Sequence, residues 1–274
     1  MSPPPVLFYV VSIALLLINT NADHDSGGFV QFTYSGPQGP GNWGKLSPEY
    51  DACSSGKHQS PIDIVTEKVV LNQTLKPLLR QYGSTNATMH NSGLSIGMQY
   101  GKEAGVITVE GRNYSLKQMH WHSPSEHRLN GVQFDAELHI VHQAEDGSRA
   151  AVGILYRFGR ADSLLARMHK KLAELSKQKS EHHQDVHVTV GTFDLKQVER
   201  VTRTRNYYKY YGSLTTPPCS ENVIWHILGR VRSISKEQVD ALRHPLEPGC
   251  RNNTRPMQEL NGRVVQLFNN VNNF

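Results

Sequence analysis

Short strand-like segments, separated by turn residues, recur along most of the chain and limit the folds it can adopt. Examples are LSIGMQY, GVITVEG, FDAELHIVHQ, AAVGILYRFG, DVHVTVG and NVIWHILGRV. They are β-branched or alternating, and Gly, Asn, Asp or Ser residues bound them, which is the pattern of strands ended by turns. The sequence therefore predicts a mainly β protein of the α+β class.

Two segments have helical rather than strand-like spacing. The first is ADSLLARMHKKLAELSKQ, where Asp162 or Ser163 is placed to cap the helix. Its apolar positions are Leu164, Leu165, Met168, Leu172 and Leu175. The second is SKEQVDALRHP, with Ser235 as the cap, Gln238 three residues later as in a capping box, and Pro245 as the stop.

The N-terminal segment differs from the rest of the chain. The run VLFYVVSIALLLI, from Val6 to Ile18, is apolar but too short to cross a bilayer comfortably, and small residues follow it. We predict a secretory signal at 1–22, with a signal anchor as the alternative, and one domain at 23–274. No hydrophobic tail precedes Phe274, so no membrane anchor is expected there. The expected destination is extracellular, the apoplast or cell wall in a plant.

The cysteine count fits a secreted protein. Cys53, Cys219 and Cys250 are an odd number, so one disulfide and one free thiol form the simplest state in an oxidising compartment. Candidate N-glycosylation sites point the same way. They are Asn72, Asn86, Asn113 and Asn252.

The charge pattern argues against a nucleic-acid partner. The formal net charge is +5, but 29 basic and 24 acidic residues are mixed along the chain rather than grouped. Mixed charges are typical of a solvated surface, whereas a nucleic-acid interface needs a basic patch.

The stretch QMHWHSPSEH carries a dense group of histidines. On a strand, His120 and His122 leave the same face, about 6–7 Å apart along the chain. Gln118 shares that face, and Trp121 points to the other side, where it can pack. Taken alone, an H-x-H pair is more often part of an ordinary polar strand than a metal site.

A second stretch, AELHIVH, strengthens the metal hypothesis. Glu137 and His139 share one face of this segment, and the turn signal RLNG allows it to pair with the strand of His120 and His122. Three imidazoles from neighbouring strands are the donor set of a catalytic zinc site. Gln118 and Glu137 lie two residues before a histidine, where they can accept the second ring NH and fix its orientation.

These motifs, together with YYGSLTTPPCSE, resemble the alpha-class carbonic anhydrases, and the secreted plant members most of all. The match runs from YSGPQGPGNWG and QSPIDI to NNTRPMQELNGRVV, nearly the whole mature chain. The resemblance implies a large, twisted, mostly antiparallel central sheet with peripheral helices. It also implies reversible hydration of carbon dioxide to bicarbonate and a proton by a zinc-bound hydroxide, with one Zn²⁺ per chain.

The resemblance assigns roles to individual residues. His120, His122 and His139 match the zinc ligands, and Thr215 matches the residue that orients the nucleophile while donating its proton to Glu126. The matched substrate pocket is Val141, Ala151, Leu214, Thr216, Val223 and Trp225, with Ala151 in place of the more usual valine. Tyr34 matches a residue that orders water in the cleft, and His127 is expected to be structural support. Cys53 and Cys219 match the disulfide of secreted members, which leaves Cys250 as the odd thiol.

Leu94 departs from the family pattern. It stands at the position of the histidine that exports protons in fast members, so the resemblance predicts slower turnover, and a neighbouring asparagine is replaced by Gly97. His90, four residues earlier, would share the face of Leu94 on a regular strand and is a candidate substitute.

This departure keeps other functions open. Some plant relatives of this family serve storage or defence and have little activity, and an esterase is a third reading. The retained ligands favour the zinc enzyme, for which we expect sulfonamide or anion inhibitors. The protein is expected to be a monomer or a dimer.

Overall fold

The computed structural model describes residues 30–101, 103–178 and 185–270. The predicted signal segment lies outside these residues. The strands are β1 (Asp63–Ile64), β2 (Val70–Leu71), β3 (Leu79–Tyr82), β4 (Ser84–Asn91), β5 (Ile96–Tyr100), β6 (Gly105–Val109), β7 (Arg112–His122), β8 (Arg128–Leu129), β9 (Val132–Gln133), β10 (Ala136–Gln143), β11 (Arg149–Phe158), β12 (Val186–Asp194), β13 (Asn206–Ser213), β14 (Glu221–Leu228), β15 (Arg232–Ile234) and β16 (Gln266–Asn269). The α-helices are α1 (Trp43–Leu46), α2 (Ala52–Ser55), α3 (Ser163–Ser176), α4 (Lys196–Val201) and α5 (Lys236–Arg243).

Within the described residues, 13 strands form one large sheet. Its main path is β12-β4-β5-β7-β10-β11-β14-β13-β16-β2, with β15 beside β11 and the β3–β6 pair joined to β7. Most neighbours are antiparallel, and the β11–β14, β11–β15 and β16–β2 pairs are parallel. Strands β1, β8 and β9 form a small separate sheet. The predicted fold class, a large mostly antiparallel sheet with peripheral helices, is confirmed.

The central strands send alternate side chains to opposite faces of the sheet. Met119 and Trp121 of β7, and Leu138 and Ile140 of β10, are buried in the larger hydrophobic core. Helices α3 and α5 cover the same core. Because side chains alternate along a strand, the histidines between these residues leave the opposite face, as the sequence predicts.

Helices α3 and α5 form where their capping signals place them. Asp162 is the N-cap of α3, and its Oδ1 accepts hydrogen bonds from the backbone N–H groups of Leu164 (2.9 Å) and Leu165 (3.2 Å). The Arg232 guanidinium holds the other oxygen of Asp162 at 2.9 Å. Ser235 and Gln238 form the predicted capping box of α5. The short helices α1, α2 and α4 were not predicted.

The cysteines adopt the expected arrangement. Cys53 and Cys219 form a disulfide, and Cys250 is a free, buried thiol. The bridge joins α2 to the segment that follows Thr215. No helix among the described residues combines the length and the apolarity needed to cross a bilayer.

The four sequon asparagines differ in exposure. Asn86, Asn113 and Asn252 are exposed. Asn72 is half-buried, and its side-chain amide donates to Gln266 at 3.3 Å. Their glycosylation stays a prediction.

Buried neutral histidines are expected to make the fold acid-sensitive. Burial lowers the pKa of His142 to about 3, whereas an unfolded imidazole titrates near 6.5. Below that value the unfolded chain binds more protons than the folded one, so the free energy of unfolding falls as the pH drops. We expect His142→Asn to flatten this fall by about 1.4 kcal/mol per pH unit between pH 6 and 4.

Urea denaturation of the metal-free protein measures this slope. His169→Asn is the matched control, because His169 lies exposed on α3. Identical slopes for His142→Asn and the unmodified chain would show that His142 is not held neutral.

Candidate metal centre

Three histidines converge on the face of the sheet opposite the larger core. In the antiparallel β7–β10 pair, His120 lies opposite His139, and His122 lies opposite Glu137. This register places the three imidazole rings with centroids 4.6–5.2 Å apart. One nitrogen from each ring lies within 4.8 Å of the others. The three imidazole rings are buried, so little of the group is exposed to solvent.

Each ring has one nitrogen engaged by a fixed acceptor. The contacts are His120 Nδ1 to Gln118 Oε1 (2.8 Å), His122 Nδ1 to the Asn253 carbonyl (2.6 Å) and His139 Nε2 to Glu137 Oε1 (2.8 Å). Since these acceptors take the ring NH, the lone pairs lie on His120 Nε2, His122 Nε2 and His139 Nδ1. His122 Nε2 is buried and has no hydrogen-bond partner among the described residues.

The electrostatics favour the neutral form of His120 and His122 but not of His139. Burial, reinforced by the other two rings, holds the pKa of His120 well below its usual value, and burial also lowers that of His122. Burial opposes the charged form of His139 as well, but the Glu137 carboxylate outweighs it and raises the pKa of His139. The same carboxylate would favour a metal cation at His139 Nδ1. Three imidazole nitrogens without a thiolate suit zinc at a catalytic site.

Glu137 connects His139 to His127 and to the backbone of residues 126 and 127. Its Oε1 accepts hydrogen bonds from His139 Nε2 and from His127 Nδ1 at 2.7 Å, and its Oε2 accepts from the backbone N–H groups of Glu126 and His127. Burial alone would raise the pKa of Glu137, but the two histidines hold it well below its usual value.

A second group, His127, Glu137 and His139, also has its candidate ligand atoms within 4.8 Å of one another. Both nitrogens of His127 are already used, because Nε2 contacts the Tyr210 hydroxyl at 2.6 Å. Both carboxylate oxygens of Glu137 accept two hydrogen bonds each, so this group is a hydrogen-bonded chain. The group containing His120 and His122 is therefore the better metal site.

Glu126 lies beside the metal-facing nitrogens. It is 1% exposed, and its Oε1 accepts a hydrogen bond from the Arg255 backbone N–H at 2.9 Å. Its Oε2 lies 3.6 Å from His122 Nε2 and 3.8 Å from His139 Nδ1. Within the described residues, no hydrogen bond joins Glu126 to Thr215, and Glu126 Oε2 has no hydrogen-bond partner. The contact expected from the sequence is thus not formed in this structure.

A cavity of about 230 Å³ opens onto His120 and His139. All the residues predicted for the substrate pocket line it, together with Gln118 and Thr215. They are Val141, Ala151, Leu214, Thr216, Val223 and Trp225. The lining also contains residues that the sequence did not single out, namely Gln99, Tyr100, Lys117 and Arg149.

The region around Leu94 differs from expectation. Strand β4 ends at Asn91 and β5 begins at Ile96, so Leu94 lies in the turn between them. The regular strand on which Leu94 and His90 would share a face is therefore not formed. Leu94 is buried against the aromatic cluster that contains Tyr34 and Trp43.

His90 is also buried, not exposed at a strand end. Its imidazole fills the space over Gly97, where a Cβ atom would lie 2.5 Å from His90 Nε2. Burial, aided by His187, lowers the pKa of His90 to about 4. A group that exchanges protons with buffer needs a pKa near the working pH, so this environment does not favour His90 as the substitute.

Two supporting residues escaped sequence reasoning. Asn253 is 1% exposed; besides holding His122, its side chain accepts from the Ser123 N–H and donates to the carbonyls of Leu94 and Trp121. The buried Arg255 guanidinium donates to the carbonyls of Ser60 and Cys53. Both lie in NNTRPMQELNGRVV, a segment without periodicity, so only the motif match pointed to it.

Comparison with known proteins agrees with this geometry. The family model for eukaryotic-type carbonic anhydrase matches residues 38–269. Alpha carbonic anhydrase 7 of Arabidopsis thaliana is 37% identical over 262 residues, which cover 96% of this chain and 92% of that protein.

Two solved structures are also similar. A dioscorin in complex with ascorbate has a TM-score of 0.83 and 37% identity, covering 89% of this chain and all of that one. The alpha-carbonic anhydrase of Thermovibrio ammonificans, bound to the inhibitor sulfanilamide, has a TM-score of 0.76 and 36% identity, covering 87% of this chain and all of that one. The match across most of the chain, joined to the histidine cluster on β7 and β10, shows that this protein belongs to the eukaryotic-type carbonic anhydrase family.

Proposed function

We propose that the protein catalyses the reversible hydration of carbon dioxide to bicarbonate and a proton, with one Zn²⁺ held by His120, His122 and His139. The observation that carries this proposal is the convergence of three imidazole lone pairs next to a cavity with an apolar wall. Zinc, when bound, acidifies a water molecule so that a strong nucleophile is available near neutral pH.

The supporting residues fix the orientation of the ligands. Gln118, Glu137 and the Asn253 carbonyl each take one ring NH, which sets the tautomer and aims the other nitrogen at the metal position. Because Glu137 is itself held by two backbone N–H groups, it cannot swing away from His139.

Thr215 and Glu126 are proposed to orient the nucleophile. A hydroxyl has one proton and two lone pairs, so a Thr215 that donates to a carboxylate must present lone pairs elsewhere. Glu126 Oε2 accepts no hydrogen bond within the described residues, while Oε1 is anchored on Arg255. Glu126 Oε2 is therefore the oxygen that would accept the proton of the Thr215 hydroxyl.

The apolar wall is proposed to hold carbon dioxide. Val141, Val223 and Trp225 line the cavity beside His139. Their uncharged side chains suit a small apolar molecule such as carbon dioxide. Ala151 completes the wall, and its small side chain leaves more room than valine would.

Proton export is expected to limit turnover. Leu94 cannot carry protons, and His90 is buried with a depressed pKa. We expect carbon dioxide hydration by the zinc-loaded protein in weak buffer to rise several-fold on addition of imidazole, measured by stopped flow. Leu94→His should reduce this dependence, with Leu94→Asn as a control that is polar but cannot shuttle protons.

The same assay tests the proposed function. Metal-free protein is the negative control. The proposed carbonic anhydrase activity would be refuted if zinc-loaded protein hydrated carbon dioxide no faster than this control at any imidazole concentration. Fast turnover in weak buffer without imidazole would instead refute only the proposal that the protein lacks an internal proton shuttle.

A storage or binding protein is the second candidate. The structural similarity to a dioscorin and the presence of Leu94 favour it. That reading does not require the retained histidines, Thr215 or Glu126. We further propose a secreted, glycosylated protein that binds sulfonamides at its metal, in line with the disulfide and with the inhibitor bound by the Thermovibrio relative.

A further inference from the structure

Two basic side chains line the metal cleft without a counter-charge. Lys117 and Arg149 are half-buried in its lining. Among the described residues, neither forms an ion pair or a side-chain hydrogen bond, and no Asp or Glu lines the cavity. A cleft lined by one sign of charge, with low-dielectric walls, concentrates ions of the opposite sign.

A β-bulge brings Lys117 to the cleft. In the β7–β10 pair, Val141 lies opposite Gln118 and His142 lies opposite Leu116, so Lys117 is left without a partner. Leu116 is buried in the larger core, whereas Gln118 lines the cleft. The extra residue therefore turns Lys117 toward the cleft, as bulges do beside active sites.

Arg149 reaches the cleft through regular alternation. It lies at the start of β11, two residues before Ala151, and both residues therefore point to the same face. Burial lowers the pKa of Arg149, so its charged form carries a desolvation penalty that a bound anion would relieve. Arginine also binds a carboxylate through two parallel hydrogen bonds, which gives orientation as well as attraction.

Another part of the lining of the same cleft is apolar. Val141, Leu214 and Trp225 line it, together with Ala151 and Val223. A ligand that satisfies the whole cavity needs a negative group for the two basic side chains and an uncharged body for the apolar wall.

We propose that Lys117 and Arg149 form an anion-binding subsite in the cleft, which takes an organic monocarboxylate whose apolar body lies on the wall beside Trp225. This inference shares the cleft with the proposed function but does not otherwise rest on it, because anion binding by Lys117 and Arg149 needs no metal. It assigns to the cleft a ligand larger than bicarbonate, as an inhibitor or a cargo.

Calorimetric titration with trans-cinnamate and with its neutral analogue cinnamamide tests the proposal. We expect cinnamate to bind at least about tenfold tighter, in both the zinc-loaded and the metal-free protein. The double variant Lys117→Gln/Arg149→Gln should bring the two affinities within about twofold. The control Arg167→Gln/Lys170→Gln makes the same charge change on the exposed face of α3 and should keep the preference.

Equal affinities for cinnamate and cinnamamide in the unmodified metal-free protein would overturn the proposal. So would a preference that survives in the Lys117/Arg149 double variant, or one seen only with zinc, since the carboxylate would then bind the metal itself. If the protein proved not to be a zinc enzyme, the binding measurement on metal-free protein would still be valid. The two proposals can therefore be refuted independently.

Discussion

Replacement of His120 by alanine is expected to lower zinc affinity by more than about 100-fold and to reduce carbon dioxide hydration to the metal-free level. Loss of a group that only orients a ligand costs about 10–100-fold in metal affinity, and loss of the ligand itself should cost more. His122→Ala and His139→Ala should behave alike, because each supplies one of three converging nitrogens. Competition with a zinc-binding dye measures the affinity.

His127→Ala is the matched control for this series. His127 is as buried as the ligands and belongs to the second compact group, but both of its nitrogens are used in hydrogen bonds. It should retain one zinc per chain. If His127→Ala lost the metal while His120→Ala kept it, the ion would belong to the group of His127, Glu137 and His139, and the assignment would be wrong.

Replacement of Glu137 by glutamine is expected to lower the free energy of unfolding by about 2–6 kcal/mol. Four N–H donors point at this carboxylate, two at each oxygen. A glutamine replaces one oxygen by an NH₂ group, so two buried donors lose their acceptor, at about 1–3 kcal/mol each. Zinc affinity should also fall about 10–100-fold, since His139 loses its charged partner.

Gln118→Ala separates the two effects. Gln118 holds only one ring NH, that of His120, and is half-buried at the cleft. Zinc affinity should therefore fall about tenfold, while urea denaturation should show a change in stability below about 1 kcal/mol. Unchanged stability in Glu137→Gln would contradict the hydrogen-bond pattern assigned to Glu137.

Local periodicity predicted the parts of the site that lie within single strands. The H-x-H and E-x-H spacings place side chains two residues apart on one face, and the β7–β10 register then brings them together. The caps of α3 and α5 were predicted for a similar reason, since Asp162 and Ser235 act on backbone groups only two or three residues away.

Features that depend on distant contacts or broken alternation were missed. Asn253 reaches His122 across 131 residues of sequence, and no local pattern announces it. Lys117 lies in the cleft only because a bulge interrupts the alternation between Leu116 and Gln118. His90 and Leu94 would share a face only on a regular strand, and the turn between β4 and β5 interrupts that strand.

The zinc content of the unmodified protein tests the central claim most directly. The protein would be incubated with excess Zn²⁺, passed through a desalting column and measured by native mass spectrometry. The arrangement of His120, His122 and His139 predicts one zinc ion per chain, removable by a strong chelator and restored on re-addition. A content well under one zinc per chain after this treatment would contradict the account.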